Sequence, residues 1–325
     1  MTRLNELRLI ARVAQMYHVE HQRQSTIASH LRISQATISR MLKRAQEEEI
    51  VRTTVVSPSG IYSDLEEGLR LKYDIKEAIV VECSEDRDGA IMSRIGEAAA
   101  HFVEATLQPD EIIGVSSWSE TVLKMVENIH PLKLGRAKYV VQTLGGMGDP
   151  TVQMHANHLT TRLAKLTGAE PRMLSAPGVA QSREAKLVLL GDGYLRATMD
   201  LFSKITLAIV GVGTVAPSDM LARSGNVFTS HELSAVQEAG GTGDISLRFF
   251  DAHGNPIKSA LDDRVIGMTL EELAKVDRVI AVAGGHSKTP AIHGALKSKV
   301  IDLLITDKFT AERLVTGAIK HDEGD

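Results

Sequence analysis

The chain has one cysteine in 325 residues, Cys83, so no intrachain disulfide can form. No His or Cys spacing resembles a zinc site either, which excludes disulfide scaffolds and zinc fingers and leads us to expect a reducing, cytoplasmic setting with no metal. Aromatic residues are scarce at 4%, with a single tryptophan, Trp118. Long apolar runs are missing as well. The longest stretch without Asp, Glu, Lys or Arg is the 14 residues between Lys204 and Asp219, short of the roughly 20 that cross a bilayer. Arg3, Glu6, Arg8 and Arg12 interrupt the first apolar residues, so no signal peptide is expected and no membrane partner. What is present, 43% apolar and 24% charged residues, suits a soluble chain long enough for two domains, each with its own core.

The net charge of -4 conceals an asymmetry. Residues 1–56 hold nine Lys and Arg against five Asp and Glu, which leaves the rest of the chain at -8. A positive front on an acidic body suits a polyanion partner at the front alone, because phosphate neutralisation drives nucleic-acid affinity.

In that front, Leu4, Leu7, Ile10, Ala11, Val13, Ala14 and Tyr17 recur at three- and four-residue steps and predict one amphipathic helix. Gln24 to Leu31 predicts a short second helix burying Ile27, Ala28 and Leu31. After a tight turn at Arg32 and Ile33, Ser34 is a good N-cap for a third helix from Gln35 to about Glu48, whose inward residues are Ile38, Met41, Leu42 and Ala45. This order and size match a helix-turn-helix, whose second helix enters the major groove. Gln35, Thr37 and Arg40 have the chemistry to read base edges, while Ala36 and the Thr37 methyl suit thymine methyl groups. Lys43, Arg44 and Arg23 suit phosphates. With Ser34 and Ser39 on the same helix start, these form the candidate DNA-binding set, and double-stranded operator DNA is the expected partner. Arg32 stands where repressors of this type commonly have glycine. Ile50, Val51, Thr53, Val55 and Val56 suggest a β-rich wing, and Ser57-Pro58-Ser59-Gly60 a hinge. The expected domains are therefore 1–56 and 61–325, joined at 57–60.

From Asp64 onward helices alternate with short apolar runs. Glu77 to Glu82, Glu111 to Ser116, Lys138 to Gln142, Ile205 to Val210, Arg278 to Ala283 and Leu303 to Ile305 each suit a strand buried on both faces. That alternation predicts an α/β fold with an open, mainly parallel sheet, which binds ligands at the carboxyl ends of its strands. Small and polar residues gather in the loops that leave those runs: Gly114 to Thr121, Gln142 to Asp149, Gly211 to Thr214 and Gly284 to Thr289. Their glycines, hydroxyls and Lys288 point to a pocket for a phosphorylated or hydroxyl-rich small molecule. The glycine turn from Gly240 to Gly243, the run Ile245 to Asp251 and a second turn from Asp251 to Pro256 predict a hairpin excursion, with Asp244 as an acceptor for sugar hydroxyls.

Catalytic motifs are missing. His155 and His158 form an i, i+3 pair without a third ligand in view, and Cys83 has no base beside it in sequence. Ser116-Ser117-Trp118-Ser119 is not a Gly-x-Ser-x-Gly elbow, and Gly211-Val212-Gly213-Thr214 lacks the third glycine of a dinucleotide fingerprint. No catalytic residue and no cofactor is expected. A sugar-phosphate isomerase or deaminase with an appended basic domain is the enzyme alternative. A dinucleotide-responsive redox regulator is a third reading.

Taken together, the front helices and four stations in the body, Gly-x-Gly-Thr at Gly211, Gly-Asp-Ile at Gly243, Gly-Gly-x-x-Lys at Gly284 and Ile-Thr-Asp at Ile305, resemble the SorC family of bacterial sugar-responsive transcriptional regulators. The resemblance spans nearly the whole chain. It implies an effector domain with the fold of ribose-phosphate isomerases and glucosamine-phosphate deaminases, serving as sensor and oligomerisation unit, commonly a tetramer. It also implies that Ser116, Ser117, Trp118, Ser119, Thr121, Gln142, Gly145, Gly146, Gly213, Thr214, Asp244 and Lys288 line the pocket for a carbohydrate, polyol or sugar-phosphate effector. Many members have Ser-Trp-Gly-x-Thr after the second strand, where this chain has Ser116-Ser117-Trp118-Ser119-Glu120-Thr121. A carboxylate at that loop disfavours an anion and favours an uncharged polyol or sugar, or a phosphate held from Lys288.

Overall fold

Residues 3–51, 58, 60–132 and 137–319 are described by a computed structural model. The chain divides into two compact units, residues 1–58 and 59–325.

The front unit is three helices, α1 (Arg3–His18), α2 (Gln24–Leu31) and α3 (Gln35–Glu47). Its small core is Ile10, Val13, Ala14 and Met16 against Ile27, Ala28, Ile38, Leu42 and Ala45, with Leu31, Ile33 and Met41 partly buried at the margin. The α1 stripe is narrower than the periodicity suggests: Leu4 and Tyr17 are exposed, as is Ala11, and Met16 is buried instead. The two short partner helices cover α1 from Ile10 to Met16 and leave its first turn in water. Arg32 closes α2 in the left-handed conformation, φ 55°, where the Ile33 N–H reaches the Ala28 carbonyl at 3.0 Å. A Cβ raises the cost of that turn relative to glycine without preventing it. Ser34 caps α3 by accepting from the Thr37 N–H at 3.2 Å. Of the expected wing, Val51 packs on this core, while Thr53, Val55 and Val56, with Ser57 and Ser59 of the expected hinge, lie outside the described residues.

The second unit is built on seven parallel strands: β1 (Glu77–Val81), β2 (Ile112–Val115), β3 (Tyr139–Gln142), β4 (Glu170–Arg172), β5 (Leu207–Val210), β8 (Arg278–Val282) and β9 (Leu303–Asp307). They are ordered β1-β9-β8-β5-β2-β3-β4. Alternate residues feed two cores. Ile113, Val115, Leu207, Ile209, Ile280 and Val282 face α5 (Asp88–Thr106), α6 (Glu120–Asn128) and α7 (Pro150–Thr167). Ala78, Val80, Ala208, Val210, Val279 and Ala281 pack on the other face with α4 (Ser63–Tyr73), α13 (Thr289–Lys297) and α14 (Lys308–Thr316). Smaller helices fill the connections: α8 (Arg183–Leu189), α9 (Gly193–Met199), α10 (Asp219–Ser224), α11 (Ser230–Glu238) and α12 (Leu270–Leu273).

Two elements differ from expectation. β4 reads Glu-Pro-Arg and has no apolar pattern, because it is the last strand at one edge, where a missing N–H and two charges are tolerated. The glycine run expected as a turn is itself a strand, β6 (Gly241–Ile245), paired antiparallel with β7 (Arg248–Asp251) through a two-residue turn at Ser246 and Leu247. Glycine is required at 243 because a Cβ there would meet the Ala291 side chain of α13 at 2.6 Å.

Candidate functional site

Along α3, Gln35, Ala36, Ser39, Arg40 and Lys43 are exposed at helical spacing, opposite buried Ile38, Leu42 and Ala45. The structure therefore brings the small, polar and basic residues of the helix start onto one solvent-facing stripe. Two of the expected residues are turned inward in their bonding. The hydroxyls of Ser34 and Thr37 lie 2.8 Å apart, and Thr37 accepts from Arg40 Nη2 at 3.4 Å. Arg44 departs from its expected phosphate role: it is half-buried and pairs with Glu6 of α1 and, at 3.5 Å, with Glu48. Its guanidinium is held charged by those carboxylates, Glu6 foremost, and serves to clamp α3 to α1. Lys43 is 3.9 Å from Glu47, both well exposed, a contact too solvated to hold it from another anion. Arg23 is exposed at the start of α2, with no capping bond from its side chain.

In the second unit the sheet order supplies the site. β2 and β5 are neighbours, yet the chain leaves β2 toward β3 and β4 on one side and later starts β5 on the other. Such a reversal opens a crevice at the carboxyl ends of the two strands. A cavity of about 220 Å³ lies there, lined by the loop after β2 (Ser116, Trp118, Ser119, Glu120), the loop after β5 (Gly211 to Thr214, Ala216 to Ser218), Leu144 after β3, the hairpin tip (Asp244, Ser246, Leu247) and Lys288 after β8. Leu221 of α10 completes it.

Each contributor is held by its own local chemistry. The indole N–H of Trp118 donates to the Gly145 carbonyl at 2.8 Å, latching the β2 loop to the β3 loop. Ser119 caps α6 by accepting from the Val122 N–H at 3.3 Å. Gly213 and Asp244 exchange both backbone bonds at 3.0 Å, and a Cβ at 213 would overlap the Asp244 carboxylate, so glycine is needed for the hairpin to approach. Ser246 and Leu247 both take positive φ, 53° and 62°, a costly conformation for leucine. Leu247 is held there by donating its N–H to Asp244 Oδ2 at 2.7 Å, and Ser246 by a hydroxyl contact of 3.0 Å with Ser116.

Three charged side chains face this space: Glu120 at the start of α6, Asp244, and Lys288 at the start of α13. Apart from the Leu247 bond to one oxygen of Asp244, none of the three has a side-chain hydrogen bond or ion pair among the described residues. Burial pushes the Asp244 carboxyl up to about 6, against the opposing pull of the Leu247 N–H and the Lys288 charge.

Of the residues expected to line a pocket, Ser116, Trp118, Ser119, Gly213, Thr214, Asp244 and Lys288 meet here. Ser117, Thr121, Gln142, Gly145 and Gly146 stand outside the lining. Gln142 is fully buried and spends its amide on Asn157 Oδ1 at 3.3 Å and the Leu174 N–H at 2.9 Å, supporting the β3 loop from beneath. Thr121 is buried in α6, and Ser117 is buried with no partner for its hydroxyl among the described residues. The glycine loops also differ from an anion cradle. The N–H groups of Gly145, Gly146 and Gly213 donate to the carbonyls of Ile266, Leu174 and Asp244, and that of Gly285 to Asp307 and Thr310. Ser246 and Leu247 went unnoticed because the tip lacks the Asn-Gly or Gly-x signature of a two-residue hairpin. Glu120 was legible as the carboxylate of the β2 loop, whereas Ser218 was not singled out in the sequence. Of the histidine pair, the side chain of His155 lies outside the described residues, and no group of three metal-ligating side chains occurs among those described. No described helix is long and apolar enough to cross a membrane. Burial raises the Cys83 thiol to about 11, which keeps it protonated.

A family model described as "Putative sugar-binding domain" matches residues 58–316. The chain is 32% identical over 302 residues to the deoxyribonucleoside regulator of Bacillus subtilis, covering 93% of this chain and 95% of that protein. It is 28% identical over 316 residues to the sorbitol operon regulator of Klebsiella pneumoniae, covering 97% and 100%. The crystal structure of that full-length regulator superposes with a TM-score of 0.71 at 28% identity, covering 96% of this chain and 99% of that one.

Proposed function

The chain belongs to the SorC/DeoR-type family of sugar-binding transcriptional regulators, and on that premise we propose that α3 reads operator DNA while a small molecule in the β2–β5 cavity sets the affinity of that reading. The protein is a sugar-responsive DNA-binding regulator of catabolic genes. We assign DNA contact to Gln35, Ala36, Ser39, Arg40 and Lys43 with Arg23, and effector contact to Ser116, Trp118, Ser119, Thr214, Asp244 and Lys288. It acts in the cytoplasm as a homo-oligomer, since one helix-turn-helix reads only a half-site, and the family resemblance implies a tetramer. The domains are a reader at 1–56 and a sensor at 61–325.

The observation that carries this reading is the cavity itself. It sits where the sheet reverses, and hydroxyls and charges from four separate chain segments converge on it. The test is a titration of Trp118 fluorescence with sugars, polyols and their phosphates, run beside a mobility-shift series on promoter fragments. A compound that changes the Trp118 signal should change operator affinity at the same concentration, by roughly 5- to 150-fold on the scale usual for coupled sites. Binding without any change in DNA affinity would reject the switch.

One observation favours a second reading. Asp244, with its raised pKa inside a cavity beside Lys288, is the kind of group that serves as a general base in an isomerase or deaminase. Against it, Asp244 already has a structural duty in holding the Leu247 turn, and no acid partner is placed by a hydrogen bond to it. Turnover of pentose or amino-sugar phosphates by the purified protein would promote this alternative.

A further inference from the structure

The cavity has few of the features that hold a phosphoryl group. Anion sites on α/β sheets are commonly built from unpaired backbone N–H groups at helix starts and in glycine loops. Here Ser119 caps α6 from within, and the first residue of that helix is Glu120, whose carboxylate already takes the favourable end of the helix dipole. α13 opens with Pro290 in its first turn, which removes one donor. The N–H of Gly213, which lines the cavity, is already engaged by the Asp244 carbonyl.

The charges that face the cavity point the same way. Among the described residues Lys288 is the only cation lining it, against the carboxylates of Glu120 and Asp244. A phosphate monoester, close to a dianion at neutral pH, would meet two like charges and one opposite charge. A neutral polyhydroxylated molecule satisfies all three. Its hydroxyls donate to Glu120 and to the unpartnered oxygen of Asp244, accept from the Lys288 ammonium, and exchange bonds with Ser116, Ser246 and Thr214. Trp118, Leu144, Val212 and Leu247 offer apolar wall to its carbon faces.

From this arrangement we infer that the effector is an uncharged polyol or sugar and that its phosphorylated counterpart is discriminated against, with Glu120 as the discriminating residue. The inference rests on the β2–β5 cavity being the effector site.

The full-length protein is titrated through Trp118 fluorescence and by calorimetry with matched pairs: sorbitol and sorbitol 6-phosphate, erythritol and erythritol 4-phosphate, 2-deoxyribose and 2-deoxyribose 5-phosphate. The expected result is that, in the pair that binds best, the neutral member binds at least about 10-fold more tightly than the phosphate. Glu120→Gln should narrow that ratio several-fold by removing one repelling charge. A phosphate member that binds the wild-type protein more tightly overturns the inference and leaves the effector site standing. An unchanged ratio in Glu120→Gln overturns the role given to Glu120. Absence of binding by both members of every pair, extended to a wider set of sugars and their phosphates, overturns the reading of the cavity and the inference with it.

Discussion

Replacing Asp244 with asparagine should stabilise this protein at neutral pH while weakening its response to effector. The carboxyl is raised from an ordinary 3.8 to about 6, chiefly by burial, so folding holds its proton more firmly than the unfolded chain does. For a group shifted upward, the stabilising contribution is fully present below about 3.8 and is lost as the pH rises through about 6. Above pH 7 the folded state therefore carries the whole cost of an ionised, poorly solvated carboxylate. A shift of about two units corresponds to at most about 3 kcal/mol, and the side chain's partial exposure to the cavity reduces this to about 1–2 kcal/mol. Asparagine has the same shape and keeps an acceptor for the Leu247 N–H, so the turn survives. In urea unfolding followed by Trp118 fluorescence, Asp244→Asn should gain about 1–2 kcal/mol at pH 8. The gain should shrink steadily between pH 7 and pH 4. A variant less stable than wild type at pH 8, or a gain that ignores pH, would refute the argument from burial.

Other substitutions separate the two units. Gly213→Ala would drive a methyl into the Asp244 carboxylate and should weaken effector binding at least 10-fold by calorimetry, with loss of fold cooperativity confined to the second unit. Arg40→Ala should relax operator sequence preference in mobility shifts. Lys43→Ala should weaken all duplexes alike and lower the salt slope by about one. Ile27→Ala empties a fully buried position in a nine-residue core and should cost about 2–4 kcal/mol in the front unit. DNA binding should then be lost while the Trp118 titration is unchanged.

Elements carried by periodicity were legible in the sequence: the three front helices, and six strands with apolar runs, of which edge strand β1 is half-buried on one face. Ser34 as a cap and the exposed stripe from Gln35 to Lys43 follow from local chemistry, which does not depend on the rest of the fold. What sequence left hidden was set by partners distant in the chain. Gln142 looks like a ligand residue in a glycine loop, but the turn at Leu174 and the side chain of Asn157 claim its amide. Arg44 looks like a phosphate contact until Glu6, 38 residues away, is placed against it. β4 has no pattern because an edge imposes little. The turn at Ser246 and Leu247 has no signature because Asp244 and Ser116, rather than glycine, hold its unfavourable backbone.

That turn bears on how a bound molecule can do regulatory work. A ligand shifts an equilibrium only by the difference in its affinity for the two states. A cavity whose polar groups were all satisfied by protein would offer little difference to exploit. Here Glu120, Lys288 and one oxygen of Asp244 are left to the ligand, and they are carried by three segments: the start of α6, the start of α13 and the β6–β7 hairpin. A single small molecule bridging them contributes its bonds only when the three are in register. Its binding energy is then tied to the placement of α6, on one face of the sheet, relative to α13 and the hairpin, which pack together on the other. At the hairpin tip, the backbone of two residues with positive φ is held by one carboxylate bond and one hydroxyl contact. Engaging the second oxygen of Asp244 draws directly on the group that maintains the turn.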